Sequence, residues 1–164
     1  DDNWLKGLVS GSEISKYNIV WSGHYIHYKK ELIKSGFGNV QYFEPKVFVR
    51  QTGDTIVSAY DPDGYLCLNN VHVGNVVNTE IKPQVIVAIL NSEVIKNYYQ
   101  IISLEKNRVM AQIDIDVLLS IPIPNGLTPE LQEEILGIVT SIKEKEDEKI
   151  KTSLNNRIKE LYGL

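Results

Sequence analysis

The spacing of apolar positions changes along the chain, and each change marks a different kind of element. Residues 17 to 28, YNIVWSGHYIHY, set β-formers on either side of the turn pair Ser22-Gly23. That pattern predicts a hairpin with Tyr17 opposite Tyr28, Ile19 opposite Ile26 and Trp21 opposite His24. A short helix is predicted over Lys29 to Ser35, ended by GFGN. KVFVRQ (Lys46 to Gln51), TIVSAY (Thr55 to Tyr60) and YLCLNNVHVGNVV (Tyr65 to Val77) read as strands, with TGD and DPDG as the turns between them. A meandering, mainly antiparallel sheet follows.

From Gln84 to Ile102 apolar side chains cover most of a helical circumference, over a length too great for an ordinary strand. Pro83 suits the first helical turn, so the stretch predicts one buried central helix, with Asn91-Ser92 on it or at a kink. RVMAQI predicts a strand and DIDVLLS a short helix before the exit SIPIP. At Thr128 a cap, Pro129 and acids in the first turn signal another helix start. Leu131, Ile135, Ile138, Val139 and Ile142, then Ile150, Leu154, Ile158 and Leu161, form an apolar stripe at spacings of three and four. The solvated KEKEDEK between the two sets continues or bends the helix, and the tail has the pattern of a paired or partner-docking helix. The predicted fold class is α/β (α+β): a curved mixed, mostly antiparallel sheet packed by a buried helix over residues 1–127, with a helical extension over 128–164.

Composition changes this picture little. With 164 residues, 43% hydrophobic and 23% charged, the chain suits one domain with an appendage. The formal charge of -4 argues against a uniformly basic coat and leaves local patches open. Residues 6 to 50 hold seven Lys/Arg against three Glu, a net of +4, whereas residues 51 to 127 hold four against eight, a net of -4. Cys67 is the single cysteine, so no disulfide forms within the chain, and a reducing, cytoplasmic setting is expected. No window reaches the roughly 18 uninterrupted apolar residues of a membrane span. The opening DDNW and the lone Met110 suggest a piece of a longer protein.

Candidate chemistry is sparse. Glu44-Pro45-Lys46 offers half of a nuclease's acid and lysine cluster, without a clearly placed upstream acid, and reads more simply as a proline opening a strand. Tyr60-Asp61-Pro62-Asp63-Gly64 lacks the oxygen ligands of a calcium loop and reads as a turn. His24, His27 and His72 are not spaced as a metal pair, and GFGN is not a phosphate loop. The tract from Lys16 to Lys30 differs, because Lys16, Tyr17, Trp21, His24, Tyr25, His27, Tyr28, Lys29 and Lys30 interleave aromatic with basic groups. Phosphate positioning needs such a patch; a half-buried hairpin packed by its own aromatics has the same composition.

Four segments occur in a telling order: GSEISKYNIVW (Gly11 to Trp21), FEPKVFVRQTG (Phe43 to Gly53), VIVAILNSEVIKNYY (Val85 to Tyr99) and IDIDVLLSIPIP (Ile113 to Pro124), before a helix rich in Gln and Glu. Their content and order resemble the TaqI-like C-terminal specificity domain, the target-recognition domain of adenine DNA methyltransferases and of restriction enzymes fused to them. The resemblance implies a non-catalytic domain that recognises duplex DNA while a separate methyltransferase domain, with S-adenosylmethionine as its cofactor, flips and methylates an adenine. It implies that Asn91 and Ser92 cap or bridge a helix to the core. Lys16, Tyr17 and Arg50 match positions on the DNA-facing side. Lys29 and Lys30 extend the basic tract, and Asn69, Asn70 and His72 are polar residues suited to reading base edges. No catalytic, cofactor or metal residues are expected in this chain. The alternative is a protein-interaction module that docks partners through the aromatic hairpin and the amphipathic tail; a metal-dependent nuclease at Glu44 and Lys46 is the other class to weigh.

Overall fold

The computed structural model describes residues 4–29, 31, 41–103, 111–145 and 147–164. Lys30, most of the helix predicted over Lys29 to Ser35 and the first half of the RVMAQI strand lie outside the described residues; in its second half Gln112 makes an antiparallel bridge with Thr52. The strands are Trp4–Leu8 (β1), Ile14–Ser15 (β2), Asn18–Ile19 (β3), Tyr25–His27 (β4), Lys46–Arg50 (β5), Ser58–Asp61 (β6), Leu66–Cys67 (β7) and Val71–Gly74 (β8). The helices are Pro83–Leu90 (α1), Glu93–Ser103 (α2), Ile115–Leu119 (α3), Pro129–Glu144 (α4) and Glu148–Leu161 (α5).

β5 organises the molecule because both of its faces are buried. It pairs antiparallel with β6 on one side and β8 on the other. Alternation sends Val47 and Val49 to a core shared with the helices, and Phe48 to a second core with Leu8, Ile14, Ala59, Tyr65 and Val71. The first core also takes Ile135, Val139, Ile142, Leu154 and Ile158, so the apolar stripe of the tail is spent on the chain's own interior. Helices therefore cover one face of the β6-β5-β8 sheet, and a small layer of β1, β2, β3, β4 and β7 covers the other. Pairing is antiparallel except for β1 with β7, which run parallel. Mixed helix and strand content with antiparallel-dominated sheets makes the class α+β.

The predicted hairpin of residues 17–28 does not form. Ile14 pairs with Ile19 and Ser15 with Asn18 around a Lys16-Tyr17 turn, while β4 pairs with β1, placing Trp4 opposite His27 and Lys6 opposite Tyr25. Two local facts favour this arrangement. The side chain of Ile26 fills the space beside Gly7 that a Cβ would need, 2.4 Å away, so any larger residue there forces Ile26 to shift. The Ser22-Gly23 turn is also occupied: Ser22 donates from its backbone N and its Oγ to the buried Glu13.

The predicted central helix is two helices, broken at Asn91-Ser92. Ser92 Oγ accepts from Ile95 N at 3.3 Å as the cap of α2 and donates to Ile89 O at 2.7 Å. The predicted strand Tyr65 to Val77 is likewise cut into β7 and β8 by a turn at Asn69-Asn70. At the tail, Thr128 caps α4 with Pro129 in its first turn, as expected. The acidic linker ends α4 instead of continuing it, Asp147 caps α5, and Arg157 returns to Glu134, so the two helices run antiparallel.

Candidate nucleic-acid interface

The described candidate residues divide among separate places. Lys16 and Tyr17 form the β2–β3 turn and face the helical layer. Lys16 Nζ donates to Asn91 O at 3.1 Å, and burial of the ammonium holds its pKa below the usual lysine value. Tyr17 adopts φ 70°, rare for a residue with a side chain; its N donates to Ser58 O at 3.0 Å, and burial pushes its phenol up to about 12. The turn borders a cleft of about 890 Å³ closed by the Asn91 break and the α4–α5 corner. Lys143 and Lys151 stand there among Glu93, Glu144 and Glu148, so the walls carry no single sign of charge. These two residues belong to a structural seam.

Arg50, Asn69 and Asn70 gather at the opposite edge of β5. Residues Ser58 and His72 flank Val49 in register, which separates the β6 and β8 edges by two strand spacings, roughly 9–10 Å. Arg50 ends β5; its Nε donates to Ile14 O at 2.6 Å, and its stem passes beside Gly11. Among the described residues nothing accepts a hydrogen bond from its two Nη groups, so an anchored guanidinium presents an open fork. Asn70 Nδ2 donates to Val9 O at 2.9 Å, while its Oδ1 is buried and accepts nothing among the described residues. Asn69 is exposed beside it at the tip of the turn. His72 does not join them freely: Nε2 is 2.7 Å from Ile113 O.

The rest of the aromatic and basic tract forms a third place. Trp21, His24, Tyr25 and His27 meet Trp4 and Lys6 of β1, residues that sequence reasoning left out. The signal for them was the alternation in WLKGL, which puts Trp4 and Lys6 on one face of a strand. Lys29 is exposed just beyond β4.

Glu44 and Lys46 do not assemble. Glu44 is exposed, whereas Lys46 is wholly buried and bonds Asp61 at 2.5 Å, with Phe48's ring 5.1 Å from its Nζ. Asp61 also accepts from Asp63 N and Tyr65 N, closing the turn. Cys67 is half-buried, and desolvation pushes its thiol up to about 12, away from nucleophilic use. Among the described residues no group of three His, Cys, Asp or Glu is placed to hold a metal ion.

The family model of the TaqI-like C-terminal specificity domain matches residues 6–123. The chain belongs to this family. In a TaqI-like specificity domain the role is DNA recognition in restriction-modification enzymes, a target-recognition part and not the catalytic one. The match runs from within β1 to the proline exit after α3, and α4 and α5 lie beyond it. Asn91 and Ser92 act in this domain as bridge and cap, as the resemblance implied. No curated protein matches the chain significantly. No helix among the described residues is long and apolar enough to cross a membrane.

Proposed function

We propose that this specificity domain recognises a short duplex DNA sequence for an adenine methyltransferase of a restriction-modification system, reading it at the corner formed by Arg50, Asn69 and Asn70. The observation that carries the reading is the anchored guanidinium. Fixing Nε to Ile14 O removes much of the side chain's freedom, and the open Nη fork has the geometry that takes a guanine edge or a phosphate in two parallel bonds. The family match supports the partner class. The catalytic domain, with S-adenosylmethionine, belongs to the rest of the restriction-modification enzyme, and the working compartment is the cytoplasm. Lys16 contributes to the fold in this reading. Lys29 lies beyond β4, apart from this corner, and contributes positive charge there.

The test is fluorescence anisotropy against a pool of duplexes and a selected target over a salt series. Arg50→Ala is expected to weaken the selected duplex by roughly 5- to 150-fold and to relax preference at one base pair, with Arg50→Lys restoring little. A uniform loss across sequences with a salt slope smaller by about 1 assigns Arg50 to a phosphate. Unchanged affinity and slope in Arg50→Ala remove this corner from the interface, and absence of binding to any duplex at low salt overturns the reading.

A further inference from the structure

Both tryptophans of the chain lie on one small surface. Trp4 and Lys6 stand on one face of β1, and their register partners His27 and Tyr25 stand on the matching face of β4. Trp4 stacks on His27 with centroids 4.8 Å apart and planes 17° from parallel. Trp21 meets Tyr25 edge-on at 5.1 Å, and Lys6 Nζ sits 4.9 Å from the Trp21 ring centre.

The rings are held from behind and not by a covering partner. Trp21 Nε1 donates to His24 O at 2.8 Å, and Ser22 next to it is fixed to Glu13. Even so, Trp4 is 53% and Tyr25 52% exposed. The aliphatic residues of the pair, Leu5 and Ile26, lie on the other face. Among the described residues the charge beside the rings is Lys6, which is exposed, while Glu13 is buried and consumed by bonds from Val9, Ser10 and Ser22. Lys29 and Glu31 are exposed beyond β4, and Asp1 and Asp2 precede Trp4 in the sequence. A protein-docking patch also favours aromatic rings but is depleted of lysine at its core; flat exposed rings beside an ammonium match a nucleobase and its phosphate.

We propose that the plate of Trp4, Lys6, Tyr25 and His27 is a second nucleic-acid contact, one that stacks an unpaired nucleobase on Trp4 and holds the adjoining phosphate with Lys6. It rests on the DNA-recognition reading for the presence of DNA, but it needs no duplex and no base-edge readout. A TaqI-like specificity domain built this way grips DNA in two chemically different modes: Arg50's corner takes paired bases, and the plate takes bases that have left the stack.

Intrinsic tryptophan fluorescence reports on the plate alone, since no tryptophan lies elsewhere. The full chain is titrated with an oligo-dT strand, a blunt duplex and the same duplex with a single-stranded overhang. Quenching by oligo-dT and by the overhang is expected. Trp4→Ala is expected to weaken strand binding roughly ten-fold or more, Trp4→Phe to keep most of it, and blunt-duplex affinity to stay within about two-fold in both. Lys6→Gln should reduce the salt slope of strand binding by about 0.7. Unchanged melting temperature separates these losses from misfolding, and the Trp4→Phe and Lys6→Gln results stand if Trp4→Ala fails to fold. Duplex binding without any strand binding or quenching overturns the plate and leaves the recognition reading intact, with a protein partner as the occupant of the surface. Equal weakening of blunt duplex and strand by Trp4→Ala overturns it by merging the plate with the duplex face. Failure of every DNA to bind overturns both.

Discussion

The seam at Asn91 and the corner at Arg50 are built from the same materials, an amide or guanidinium side chain set against a strand, and they use them in opposite ways. At the seam every bond is closed inside the protein: Asn91 Oδ1 accepts from Ser58 N and Asn91 Nδ2 donates to Ser58 O, both at 2.9 Å, while Ser58 O also takes Tyr17 N. At the corner one bond anchors Arg50 and, among the described residues, its Nη fork is left over; Asn70 bonds through Nδ2 while its Oδ1 is buried and out of a ligand's reach. Buried polar groups are costly unless paired. A fold that satisfies one site fully and leaves the other partly unspent therefore separates the polar groups that hold it together from those available to a ligand. Type and position in the chain do not make that separation: Lys16 is exposed yet spends its Nζ on Asn91 O, whereas Arg50 bonds only through Nε among the described residues.

The largest effect belongs to the Lys46–Asp61 pair on the structural side. Asp61→Ala leaves a wholly buried ammonium without its partner and is expected to cost about 3–5 kcal/mol in urea unfolding. Adding Lys46→Met should return a substantial part of that loss, because the unpaired charge is gone. A single substitution costing under about 1 kcal/mol would mean that Lys46 finds water, and the pair would lose its structural role.

Asn91→Ala comes next, at about 1–3 kcal/mol, since Ser58 N is left buried without an acceptor. Duplex affinity, measured where both proteins are folded, should not change. Arg50→Ala is expected to invert that pattern, losing about 1 kcal/mol or less of stability with the bond to Ile14 O while losing DNA affinity. Equal stability losses at the two sites would abolish the distinction between seam and corner.

The smallest effect is acid sensitivity at Glu13, which ties the corner's loop to the aromatic plate. Burial acts to raise its pKa, but hydrogen bonds from Ser22, Ser10 and Val9 prevail and hold it below the ordinary glutamate value. The charged form is thus bound more strongly in the folded state. Its stabilisation is full above the unfolded value of about 4.3 and fades as pH falls through the folded pKa. Glu13→Gln should flatten the stability curve below about pH 4.3 relative to the parent chain. Parallel curves would show that the carboxylate's bonds are not worth more than those of a neutral amide.

Much of the architecture was legible in the chain. Thr128 with Pro129, the strand KVFVR, the short helix before SIPIP and the DPDG turn are all local, encoded by caps, alternation and turn residues that act over a few positions. Asn91-Ser92 was visible as an interruption, and its role followed from family order. The hairpin at Ser22-Gly23 was not, because alternation tells which face a side chain takes and not which strand edge the backbone joins. Strands this short have little pairing energy of their own, so the contest was settled by Gly7 making room for Ile26 and by Glu13 binding the would-be turn. The candidate site divided for the same reason: Lys16, Tyr17, Lys29 and Trp21 are neighbours in the chain but leave their elements in different directions.

From its residues alone the chain specified its element types, most helix starts, its membership of the specificity domains and the basic bias of its first third. Those properties depend on short spacings and on ordered motifs. Three-dimensional packing alone settled that Lys46 belongs to Asp61, that Asn91 belongs to Ser58, that Trp4 and Lys6 join His27 and Tyr25, and that Arg50 keeps its fork free among the described residues. Each of those outcomes depends on which distant backbone arrives beside a side chain, and a polar group's partner is chosen only once burial has taken water away from it.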